Sequence, residues 1–213
     1  MEYEKYKVSR DLSWQIIIDQ NLHTLPVKVS DLCRNYNITL GKYRTNEQLL
    51  QQLQLFELSK KSDGLTVRMG EKVFIFYNDS NTPARQRFTV AHELGHFFLK
   101  HEGIQNGSCA YSERNSEPSY GDEEPELQAN VFASRILAPA CVLWGMQLHT
   151  AEEIAKVCDI SMQSAHFRLD RLNQLYARET AFLKRYGKSC FLRSPLEQKV
   201  YHQFREFIER KGG

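Results

Sequence analysis

The stretch "RFTVAHELGHFFLKH", residues 87–101, decides how this chain is read. It sets His92 and His96 four residues apart, with Glu93 directly after the first. The flanking Phe88, Val90, Ala91, Leu94, Phe97, Phe98 and Leu99 predict a mostly buried helix. Residues four apart share a helix face, with Cβ atoms about 5–6 Å apart, so both imidazoles can take one zinc ion from the same side. Glu93 points about 100° further round the helix. It misses the coordinating pair but can reach a water on the metal and accept its proton. This is the HExxH pattern of zinc metalloproteases, a weak signal by itself. The opposing reading is a core helix whose polar groups pair with other side chains. Burying two histidines and a glutamate without partners is expensive, and the apolar flanks therefore strengthen the metal reading.

Working outward, Thr82 is a good N-cap and Pro83 suits the first turn, so the helix is expected over about 83–100. Before it, "GLTVRMGEKVFIFYN" carries two β-rich runs around Met69-Gly70-Glu71 and predicts a hairpin. Upstream, residues 8–20 predict a helix, and Ser30 caps a second that stops near Asn37 before a short extended piece. Thr45 and Gln48 have capping-box spacing at the head of a leucine-bearing helix reaching Phe56. Downstream, 102–121 reads as a long polar loop able to gate a site. A helix is expected over 123–138, stopping before Pro139. Two short helices joined by a tight turn follow, capped by Thr150 with Glu153 and by Ser161, then a closing helix with Val200, Phe204 and Phe207.

A catalytic zinc usually has three protein ligands and an open position. The extended form HExxHxxGxxH needs Gly at 99 and His at 102, where this chain has Leu99 and Glu102. His101 lies five residues past His96 and turns off the ligand face, as a helix-end residue favoured by the partial negative charge there. The third ligand is therefore expected from a separate segment, among Glu113, Glu117, Asp122, Glu123, Glu124 and Glu126. Ligand geometry needs a rigid base, which counts against the loop acids. Glu126 heads a stripe through Asn130, Ala133 and Leu137, and Ala129 and Ala133 would let that helix come close. Glu123 shares the face and remains the alternative. Asn130, one turn on, could hold a ligand in place.

Composition leaves this open. The chain has 213 residues, 41% hydrophobic and 25% charged, enough for a real core in one domain or one domain with an appendage. A net charge of +2 is weaker than expected of a dedicated nucleic-acid binder. Five scattered cysteines without CxxC read neither as a disulfide framework nor as a structural zinc site. The start "MEYEKYKVSR" lacks a signal pattern and no apolar run approaches a membrane span, so a cytoplasmic protein is expected, with no membrane partner.

The segments "RFTVAHELGH", "ELQANVFASRILAP" and "IAKVCDISMQSAHFRLDRL" together resemble the ImmA/IrrE-type metallo-endopeptidases, over roughly residues 60–175. The resemblance implies an α+β fold, with a mostly helical zincin-like protease core. A small β-sheet or hairpin would precede the HExxH helix, and a helix-turn-helix-like pair would follow. The expected organisation is an N-terminal helical segment (1–60), a metallopeptidase core (61–145), and the helical pair with a closing helix (146–213). The resemblance implies that His92, His96 and Glu126 bind one catalytic Zn2+ and that Glu93 is the general base. Asn130 matches the asparagine of its E-x-x-A-N signature. Family members look like small cytoplasmic zinc proteases of bacteria and their phages or mobile elements. Several are paired with a helix-turn-helix repressor, so the implied substrate is such a protein.

The helical pair would present Met162, Gln163, Ser164 and His166 where base-reading residues sit. From Glu152 to Glu179 there are five acids (Glu152, Glu153, Asp159, Asp170, Glu179) against four bases (Lys156, Arg168, Arg171, Arg178). That net −1 argues against direct DNA binding and for scaffold or substrate docking. A competing class is a regulatory protein whose metal site is structural or sensory and which binds a repressor or DNA.

Overall fold

The structure, a computed structural model, describes residues 6–101, 123–187, 192 and 194–211. It is an α+β fold, mostly helical, with one three-stranded sheet among the described residues. The chain divides into two compact units, Met1–Ser9 with Lys28–Ala133, and Arg10–Val27 with Ser134–Gly213. The 102–121 loop lies outside the described residues.

The first helix, α1 (Lys7–Asp19), contributes its opening residues to the first unit. In that unit α2 (Val29–Asn35) gives way to β1 (Ile38–Lys42), and Asn37 makes the corner at φ 56°, a conformation asparagine tolerates. Then come α3 (Glu47–Gln52), α4 (Phe56–Ser59), β2 (Gly64–Met69) and β3 (Lys72–Tyr77). The expected hairpin is present, with Met69 opposite Lys72 and Gly70 at φ +60° in the two-residue turn. The extended piece after Asn37 becomes a third strand. It lies parallel to β3 with Ile38 opposite Val73, giving the order β1-β3-β2. Leu65, Val67 and Phe76 from the sheet are buried with Leu50 and Leu55.

Three local expectations are corrected. Ser30 is not a cap: the helix starts at Val29, after Lys28, which makes no side-chain capping bond. Thr45 and Gln48 form no capping box, because α3 starts at Glu47 and the Thr45 hydroxyl donates instead to the Lys42 carbonyl. The leucine-bearing helix breaks between α3 and α4, where Gln54 takes φ 58°.

The helix of the opening motif is α5 (Pro83–Leu99), with Pro83 in its first turn and the Thr82 hydroxyl accepting from Arg85 N–H. The second site helix is α6 (Glu123–Leu137), ending before Pro139. Residues Glu124–Gly145 do reach the length and hydropathy of a membrane span, contrary to expectation; 61% of that window is buried, and the helix breaks at Ala138–Pro139.

The second unit holds α7 (Ala140–Gly145), α8 (Ala151–Cys158), α9 (Met162–Tyr186), α10 (Pro195–Gln203) and α11 (Arg205–Lys211). Thr150 and Glu153 form a complete capping box, and Ser161 caps α9. The second helix of the pair is not short: α9 runs 25 residues, since its pattern carries no glycine or proline before Gly187. Arg168 is buried and donates from Nε to the Ala138 carbonyl at 2.6 Å. Val200 and Phe204 are buried, while Phe207 is only partly so and Ile208 takes the core position.

Candidate metal centre

Both site helices lie in the first unit at the positions that matter. Gly95 allows their approach: a Cβ there would stand 3.0 Å from Ala129 Cα and 3.1 Å from its carbonyl oxygen. Ala129 is fully buried, so small residues face each other where the helices meet. One turn earlier on α6, Glu126 reaches His92 and His96. Its Oε2 is 3.3 Å from His92 Nε2, and its Oε1 is 3.1 Å from His96 Nε2. The two Nε2 atoms are 2.9 Å apart. One donor atom from each of the three residues lies within 4.8 Å of the others.

His92 and His96 are almost fully buried, at 1% and 5% exposure. Burial raises the Glu126 carboxyl, but the hydrogen bonding and charge of the two imidazoles more than reverse this and hold it well below the ordinary carboxylate range. By strict geometry, Glu126 Oε1 is nonetheless buried without a hydrogen-bond partner, with His96 Nε2 3.1 Å away. A buried acceptor without a donor beside two facing imidazole nitrogens calls for a cation between them. Two nitrogens and a carboxylate oxygen are a zinc-type donor set, with a position left for water. The residues therefore fit a metal.

Asn130 lies beside this cluster, its Oδ1 2.9 Å from His92 Nδ1, where it can accept the ring proton. Glu93 is 7% exposed and is not among the three clustered donors. Its Oε2 accepts from the Thr66 hydroxyl of β2 at 2.6 Å. Gly64 of the same strand leaves room for it: a Cβ there would meet Glu93 Oε1 at 2.9 Å and Thr89 Cγ2 at 2.5 Å. The strand thus packs against the motif helix at Thr89 and Glu93 and fixes the carboxylate.

His101 is not in the cluster, as expected, but it is no bystander. Its Nδ1 is 2.9 Å from His96 Nδ1, and its Nε2 is 3.0 Å from Gln128 Oε1. Burial pushes the His101 pKa below its ordinary value, against the raising effect of Gln128. Glu124 is exposed and accepts from Gln128 Nε2 at 3.2 Å. The Glu123 side chain and the loop acids Glu113, Glu117 and Asp122 lie outside the described residues. Reading the sequence missed Thr66, Gly64, His101 and Gln128 as participants. The order of hairpin and motif helix hinted at strand contact, but no pattern singled out Thr66.

Compared with known proteins, residues 51–170 match the family model Peptidase_M78, described as the IrrE N-terminal-like domain. No curated protein matches the chain.

Proposed function

Because this chain belongs to the IrrE N-terminal-like peptidase family, and so is of metallopeptidase type, we propose that it is a zinc-dependent endopeptidase with one specific protein substrate. His92, His96 and Glu126 are the metal ligands in this reading, and Glu93 is the general base. The observation that carries it is the gathering of those three donors at the junction of α5 and α6, with Glu93 one residue from the first.

A zinc ion held by these three residues would supply a Lewis acid able to bring the pKa of a water at the open position to about 7. Glu93 takes a proton from the attacking water and returns it to the leaving amine. Thr66 holds the carboxylate in one orientation by donating to Oε2. Asn130 keeps the His92 ring turned so that Nε2 faces Glu126.

The proposed substrate is a helix-turn-helix transcriptional repressor of a phage or mobile element, cut in the cytoplasm. The order of motifs supports this through the family pattern, and the α8–α9 pair is read as a docking element. At the start of α9, Met162, Gln163, His166 and Phe167 are exposed, with Phe167 at 69%. Arg168 and Glu179 are both buried, which takes one acid and one base of those counted over 152–179 off the surface and leaves its charge near balance. Such a surface suits protein better than phosphate. The proposal is tested by incubating zinc-loaded protein with the helix-turn-helix protein encoded by a neighbouring gene. Wild type should give two fragments, and Glu93→Gln should keep its metal and give none. Equal cleavage by Glu93→Gln would remove Glu93 from the mechanism.

A further inference from the structure

We propose that Glu124, Gln128 and His101 form a hydrogen-bond chain that fixes the tautomer of His96, making His101 a positioning residue for the metal centre. The inference rests on reading His92, His96 and Glu126 as that centre. None of the three residues is a fixed position of the HExxH or E-x-x-A-N pattern.

The direction of the chain follows from what each group can do. Ionised Glu124 has only acceptors, so Gln128 must turn its NH2 toward Glu124 Oε1, as the 3.2 Å contact has it. That leaves Gln128 Oε1, an acceptor, facing His101 Nε2 at 3.0 Å. His101 Nε2 therefore carries a proton. In a neutral imidazole the other nitrogen is then a bare acceptor. His101 Nδ1 faces His96 Nδ1 at 2.9 Å, so His96 must donate from Nδ1. Its Nε2 is left with a lone pair directed at Glu126 and His92 Nε2, the form a metal needs. Asn130 Oδ1 gives His92 the same treatment from α6. Both proposed ligands then turn Nε2 atoms 2.9 Å apart toward Glu126, an arrangement a shared cation would satisfy.

The backbone explains how a residue five positions past His96 returns to it. Lys100 ends the helix in the left-handed region, at φ 55° and ψ 39°. This turns the chain back, so that His101 N–H donates to the His96 carbonyl at 3.2 Å while its ring lies against the His96 ring. The other two members sit four apart on α6, so one turn of helix aligns them with His101.

The experiment combines ring-nitrogen NMR of the metal-free protein at pH 8 with zinc affinity from chelator competition. Wild type should show His96 protonated at Nδ1. His101→Leu removes the acceptor and should shift His96 toward the Nε2–H tautomer, with zinc binding weakened by about ten- to a hundredfold. His101→Asn, whose amide oxygen can accept the same proton, should restore the tautomer and most of the affinity. Gln128→Leu, more distant from the centre, should show the tautomer shift in a weaker form and serves if His101→Leu fails to fold. The proposal is overturned if wild-type His96 is protonated at Nε2, or if His101→Leu keeps both tautomer and affinity. A wild-type protein that takes up no zinc would instead sink the metal-site reading, while the NMR of the metal-free protein still decides the chain.

Discussion

The Thr66 hydroxyl donates to Glu93 Oε2 across 2.6 Å, from a strand to the carboxylate that follows the first histidine of the motif. Both residues are buried, so a hydrogen bond to a charged acceptor here is worth about 1.5–3 kcal/mol. Thr66→Val keeps the shape and removes the donor. It should lower kcat/KM by roughly ten- to a hundredfold, with zinc content unchanged. Steady-state kinetics beside metal analysis checks both halves, and a normal rate would mean that Thr66 does not hold the base.

Gly95 is where α5 and α6 meet, with Ala129 backbone atoms 3.0 and 3.1 Å from the place a Cβ would occupy. Backbone cannot swing aside as a long side chain can. Gly95→Ala should therefore cost about 1–3 kcal/mol in denaturant unfolding and weaken zinc binding by moving Glu126 from the histidines. Unchanged affinity at reduced stability would show that the ligands tolerate a wider helix spacing.

Much of the site was legible in the sequence because its parts are helical. Thr82 and Pro83 announce the start of α5, Pro139 marks the end of α6, and a four-residue spacing translates directly into a shared face. The stripe from Glu126 to Asn130 was legible for the same reason, though choosing Glu126 over Glu123 needed the family signature. The strand contributions were not legible. A threonine in a β-run fits any half-buried strand, and only the packing of β2 on α5 turns its hydroxyl toward Glu93. The contact of His101 with His96 was not legible, because helical projection stops at Lys100, whose left-handed conformation reverses the chain. The third strand escaped because parallel pairing joins residues far apart in sequence.

The capping box at the head of α8 predicts a pH signature. The Glu153 carboxylate accepts from the backbone N–H of His149 and of Thr150, both at 3.0 Å, and these bonds lower its pKa below the ordinary 4.5. A depressed folded pKa adds stability that is present above about 4.5 and fades as pH falls through the folded value. The gap in denaturant midpoint between wild type and Glu153→Gln should therefore be widest near pH 7 and narrow below 4.5. Thr150→Ala, which removes the other half of the box, should cost about 1 kcal/mol.

Among the described residues, Cys33, Cys141 and Cys158 are buried thiols outside any disulfide. Burial pushes the Cys33 thiol up to about 12 and that of Cys141 higher still, so neither is a thiolate at neutral pH. Mass spectrometry after brief alkylation of the native protein should find all three unmodified, and modified after denaturation. Rapid labelling in the native state would mean that these segments open.

The central claim is that His92, His96 and Glu126 together hold one zinc ion. X-ray absorption at the zinc edge, on protein loaded to one equivalent, reads the donors directly. The account predicts nitrogen and oxygen neighbours only, at about 2.0–2.2 Å, with the multiple-scattering pattern of two imidazoles. That pattern should be unchanged in Glu93→Gln and lost in Glu126→Ala. Sulfur neighbours at about 2.3 Å, or failure to take up one equivalent, would contradict it.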